Sequence, residues 1–167
     1  RDMFRHTPFN QDISSWNVSN VTDMSYMFAA SDFVGDISKW DVSNVLDMNC
    51  MFRNALFKGD ISNWNVSHVK NMDALFCDSR FNGDLSKWDV SNVTSMKRMF
   101  RQAPFNQDVS TWNVANVTDM YAMFYGSQFN GNINQWNVSN VNNVHMMFWE
   151  SKFRGNVRNW SLSKQAN

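Results

Sequence analysis

Phe9-Asn10-Gln11-Asp12-Ile13-Ser14-Ser15-Trp16-Asn17-Val18-Ser19-Asn20-Val21-Thr22-Asp23-Met24-Ser25-Tyr26-Met27-Phe28-Ala29-Ala30-Ser31-Asp32 is one copy of a unit that recurs every 24 residues through a chain of 167. Seven of the eight tryptophans keep that spacing, from Trp16 through Trp40, Trp64 and Trp88 to Trp160. All fourteen phenylalanines fall into two columns, one running from Phe4 to Phe148 and the other from Phe9 to Phe153. Methionine forms two more columns, in which Leu75 and Val144 fill gaps. One period shared by every large apolar residue type predicts stacked units around an elongated core, not a single closed one.

Two periodicities share the unit. Trp16 and Val18 alternate with polar Ser15, Asn17 and Ser19, the pattern of a short half-buried strand. Val21, Met24, Met27 and Phe28 then fall on one helical face. Ser19, Asn20 or Thr22 stands where it would cap that helix, and Asp23 would meet the positive end of its dipole. Gly35, Gly59, Gly83, Gly131 and Gly155 mark the return turn, with Gln11 and Gln107 in the same phase, so glycine is favoured there without being obligatory. The expected fold is therefore an α/β solenoid of about seven 24-residue coils, each a short parallel strand plus a short helix, with residues 1–167 forming one array. Met3 would begin mid-helix, which reads as a truncated N-terminus. Residues 157–167 read as a diverged end coil, because Ser161, Leu162, Lys164 and Gln165 replace the usual repeat residues.

The spacing Ile13-x-x-Trp16-x-Val18 matches the core of a leucine-rich repeat with tryptophan in a leucine position. The longer string from Phe9 to Phe28 resembles the BspA-type leucine-rich-repeat surface proteins of bacteria and microbial eukaryotes, and the resemblance covers nearly the whole chain. It implies a right-handed leucine-rich-repeat-like solenoid, a cell-surface or secreted location, and roles in adhesion and binding instead of catalysis. It brings no catalytic residues with it.

Composition narrows the chemistry. Net charge is zero and the fifteen Lys and Arg scatter over several phases, whereas nucleic acids and anionic membranes need concentrated positive potential. No apolar run is long enough for a membrane span, so insertion is not expected. His6, His68 and His145 lie in three different phases without ligand-spaced partners, which predicts no metal site, no catalytic dyad, no cofactor and no enzyme. Cys50 and Cys77 are out of phase and read as buried or half-buried thiols. The column Asp12, Asp36, Asp60, Asp84 and Asp108 would place carboxylates about 4.8 Å apart if strands stack in parallel. A calcium ladder is one reading; carboxylates accepting N–H bonds in their own turns is the favoured one. Asn132 and Asn156, which continue the column, suit the second. Seven N-glycosylation sequons occur, but six follow from the repeat spelling Asn-Val-Ser or Asn-Val-Thr and say little about secretion.

A partner would be read where the units differ. The expected strand face is nearly uniform, with Asn or Asp after each Trp, and a periodic polysaccharide on that face is one option, with Asn113 and Asn137 as contacts. Variation concentrates on the expected helix face, at the positions of Ser25 and Ala29: Lys97 and Arg101, then Tyr121 and Tyr125, then His145 and Trp149. Stacked, these residues and Arg98 would form a mixed cationic and aromatic patch of the composition favoured at protein interfaces. The functional expectation is a non-enzymatic protein-binding or adhesion module at the cell surface. The alternative is a structural subunit docked on a larger intracellular or organellar assembly.

Overall fold

The computed structural model describes residues 1–164 and shows 24-residue units stacked in parallel register. Bridges join Asp23 to Asp47, Asp47 to Asn71, Asn71 to Ser95, Ser95 to Asp119 and Asp119 to Asn143. Two facing walls of rings fill the interior. Phe28, Phe52, Phe76, Phe100 and Phe124 stack with centroids 5.6 to 5.8 Å apart. Each also stacks on the second phenylalanine of its own unit, as Phe52 does on Phe57 at 4.4 Å. The methionine columns close the core, with Met48, Met72, Met96 and Met120 fully buried.

The expected strand-plus-helix coil is not what forms: the described residues contain no helix, and their only strand-like pairing is that row of isolated bridges. The segment read as a helix, residues 24–31, is a ribbon of overlapping turns. Met27, Ala29 and Ser31 donate their N–H groups to the carbonyls of Met24, Tyr26 and Phe28, three residues back. Met24, Tyr26, Phe28 and Ala30 donate instead to Asp47, Asn49, Met51 and Arg53 in the next unit, at 2.7 to 2.9 Å. An α-helix would close every bond internally, four residues back. Spacing explains the choice. Packed helices lie about 8–10 Å apart, while rings of the Phe28 column repeat at 5.6 to 5.8 Å and those of the Phe33 column at 6.2 to 6.4 Å, so a helix in every unit would hold the aromatic stack open. Apolar offsets of 0, 3, 6 and 7 suit the turn ribbon as well as a helix, and the tight ring column decides between them.

The ribbon requires a left-handed residue twice per unit, at Tyr26 and Ala30 (φ 57° and 51°), Cys50 and Asn54, Ala74 and Asp78, and onward. Such conformations cost about 1 kcal/mol or more for residues other than glycine. Because the feature recurs in each unit, it belongs to the construction and does not mark a site.

The segment read as a strand is also a pair of turns, with Trp40 N–H on Ile37 O and Val45 N–H on Val42 O. Its cross-unit bond comes from a side chain. The indole Nε1–H of Trp40 donates to Ile13 O at 3.1 Å, and Trp64, Trp88, Trp112, Trp136 and Trp160 repeat this 27 residues back at 3.0 to 3.2 Å. Indole has one donor and no acceptor, so the bond satisfies the buried ring completely. In the end unit Trp160 and Leu162 still pack against the core; Gln165 lies outside the described residues.

The return turn explains its glycines. A Cβ added at Gly59 would lie 2.7 Å from the Phe57 ring. Where Gln11 and Gln107 stand instead, the ring is drawn closer to its stacking partner, 3.9 Å for Phe4 and Phe9 and 3.8 Å for Phe100 and Phe105. The ring yields and the backbone does not need to.

Candidate functional site

Polar columns outside the core are mostly occupied by turn bonding. Asp12, Asp36, Asp60, Asp84 and Asp108 each accept the N–H of the serine two residues on, at 2.8 to 2.9 Å. Asn132 and Asn156 make the same bond. Hydrogen bonding to that serine N–H holds all five carboxyls below the ordinary carboxylate value, against small opposing contributions from desolvation. The column is a set of turn locks, and among the described residues no three His, Cys, Asp or Glu side chains gather to hold a metal ion. His68 continues a column of Asn44, Asn92, Asn116 and Asn140, whose amides donate to the preceding unit. Its Nδ1 lies 2.8 Å from Ser43 O, which makes this nitrogen the protonated one.

The face proposed for polysaccharide is not a strand. Asn113 and Asn137 accept the N–H groups of Ala115 and Ser139 at 3.2 Å. The uniformity of that row therefore has a structural cause.

The variable residues come together on the turn ribbons. The outward left-handed column runs Tyr26, Cys50, Ala74, Arg98, Ala122, Met146, and where it is small a groove opens with a volume of about 670 Å³. Lys97, Arg98, Arg101, Tyr121 and Tyr125 all line it. The Arg98 guanidinium lies 5.0 Å over the Tyr121 ring, and that of Arg101 5.2 Å over Tyr125. His145 joins through Tyr121, stacked at 5.9 Å. Trp149 stands apart: it is 59% exposed, donates to Glu150, and does not line the groove.

Several groove residues escaped the sequence reading. Arg53 and Asp73 occupy the two variable columns already identified, yet only ring neighbours were chosen from them. Asp73 accepts from the Ser95 hydroxyl and from Lys97 N–H, and pairs with Lys97 Nζ at 3.3 Å. Asp78 receives the Arg101 guanidinium at 2.9 and 3.2 Å and the Cys77 thiol at 3.2 Å. Cys50 and Cys77 are buried free thiols. Burial, then the neighbouring Asp78 charge, push Cys77 up to about 12, and burial raises Cys50 as well. Neither is a nucleophile at neutral pH. A second hollow, with Arg5 and His6 on its rim, adjoins the groove through Tyr26 and Arg53.

Among the described residues no helix is long and apolar enough to cross a membrane. No curated protein and no solved structure matches the chain. One family model does, twice, over residues 1–80 and 78–167. The two matches span every unit of the stack, and the chain therefore belongs to the family described as Mycoplasma protein of unknown function, DUF285.

Proposed function

We propose that the chain is a non-enzymatic protein-recognition module that presents the ribbon groove to a partner from a rigid stack. One observation carries this reading: side chains that change from unit to unit line the groove, while those that repeat fill the core and lock the turns. A surface of aromatic and arginine side chains on a fixed frame has the composition of interface centres. A position at the cell surface, with an adhesive role, is the location we favour, because BspA-like surface repeat proteins belong to the same family. The free thiols Cys50 and Cys77 favour a second reading, in which the same groove docks the chain on a larger assembly in a reducing compartment.

Selection from a displayed peptide library tests the groove directly. Peptides enriched on the native protein should lose binding to a Tyr121→Ala, Tyr125→Ala variant. Enriched peptides that bind both proteins equally would overturn the reading. Antibody labelling of intact source cells separates the surface location from the docked one.

A further inference from the structure

We infer that the groove is built for an acidic peptide segment in the polyproline II conformation carrying two carboxylates three residues apart, one received by Arg53 and one by Arg98. The inference rests on the groove being the recognition surface and names the chemistry of what enters it.

Charge pairing distinguishes the basic residues there. Lys97 is matched by Asp73 at 3.3 Å, and Arg101 by Asp78 at 2.9 Å. Arg5, on the adjoining hollow, is matched by Asp2 at 3.2 Å. Among the described residues no carboxylate pairs with Arg53 or Arg98 within 4.0 Å, and both are exposed. A guanidinium is a planar fork that binds a carboxylate through two parallel bonds. Neither fork is spent on a carboxylate: Arg53 meets the Cys50 thiol and Arg98 lies over the Tyr121 ring, and a guanidinium on a ring face still presents its N–H edge to a carboxylate.

Shape agrees with charge. The small residues Cys50 and Ala74 line the groove, with the larger Tyr26 and Arg98 before and after them in the same column. Arg53 and Arg98 stand two units apart, which at strand spacing is about 10 Å along the stack. A peptide in the polyproline II conformation, with three residues per turn and a rise of about 3.1 Å, carries side chains three residues apart on one face at about that distance. A lone small anion does not reach both. The lining holds Arg53, Lys97, Arg98 and Arg101 against the single acid Asp73, although the whole chain is neutral. Nucleic acid is the weaker candidate, since a phosphate at every nucleotide would bring charge against Asp73 as well as against the two arginines.

The test uses a fluorescent octapeptide of Gly and Ser with Glu at positions 3 and 6, and its twin with Gln at both, read by anisotropy on the whole chain. The Glu peptide should bind at least about tenfold tighter, the order expected from gaining two charge-assisted pairs. Arg53→Gln with Arg98→Gln should abolish the difference, while Lys58→Gln with Arg80→Gln, outside the groove, should preserve it. Near-ultraviolet circular dichroism verifies that both variants keep the aromatic stack. Equal binding of the two peptides, undiminished preference in the Arg53, Arg98 variant, or tighter binding of an oligothymidylate would each overturn the inference. Recognition by the groove would still stand in those cases if library peptides of other composition require Tyr121 and Tyr125.

Discussion

Asp73 accepts the backbone N–H of Lys97 at 3.0 Å across the boundary between two units. Elsewhere that N–H is held from within its own unit, as Asp23 holds Ser25, Asp47 holds Asn49 and Asp119 holds Tyr121. Ser95 stands where the capping Asp or Asn would be, and its hydroxyl turns to the same Asp73 oxygen. One carboxylate thus replaces a missing cap and one groove charge is neutralised in the process.

A double-mutant cycle should expose this substitution of roles. Asp73→Ala is expected to cost about 1–3 kcal/mol by leaving the Lys97 N–H and Ser95 hydroxyl without their acceptor. In a Ser95→Asn background, which supplies the cap used by Asn71 and Asn143, the same change should cost less than half as much. Urea unfolding of the four proteins measures it, and equal costs in both backgrounds would refute the compensation.

The indole ladder predicts unequal tryptophans. Trp88→Phe removes one of the two bonds to the Ile61 carbonyl, which keeps the Trp64 N–H, and takes away buried ring volume, so a loss of about 1–3 kcal/mol is expected. Trp16 is 41% exposed and its indole has no hydrogen-bond acceptor among the described residues, so Trp16→Phe should cost under about 1 kcal/mol. Thermal midpoints of the two variants give the comparison.

Acid should weaken the turn locks. The carboxyls of the Asp12 column have folded values below the unfolded one, so their contribution is fully present above the unfolded carboxylate pKa. It is lost as pH falls through the lowered folded values. Stability should be flat from neutral pH to about 5 and decline below about 4. Replacing the five aspartates by Asn, as Asn132 and Asn156 already demonstrate is structurally acceptable, should flatten the acid limb in a pH series of melting curves.

Thiol chemistry should report the core. Cys50 and Cys77 are both buried with raised thiol values, so iodoacetamide at pH 8 should label neither in the native protein and both after denaturation. Native labelling comparable to the denatured rate would show that the ribbon opens.

The unit length, the stack, the buried columns and the Asp12 turns were all legible in the sequence, because identical residues at identical spacing leave little freedom in what packs on what. The ribbon at Met24 to Ser31 was not. Its apolar offsets are common to a helix and to overlapping turns, and the deciding quantity, the distance between neighbouring ribbons, belongs to no single unit. The Trp40 to Ile13 bond was hidden for the same reason, since it links residues 27 apart through a side chain. In the groove, Lys97, Arg101, Tyr121 and Tyr125 are legible from variation within columns, and Arg98 from its place beside Lys97 in the same basic stretch. Trp149 followed the same columns but turned outward, and Arg53 was passed over for lack of an aromatic neighbour.

Because six tryptophans, from Trp40 to Trp160, tie their units to the ones before by the same bond, adjoining units are interchangeable parts. A chain of this design gains or loses a block of 24 residues without stranding an interior donor, since the new neighbours offer the same carbonyls at the same offsets. Groove length and groove content are then inherited separately from stability: duplication extends the frame, and point changes at the ribbon positions rewrite what it reads.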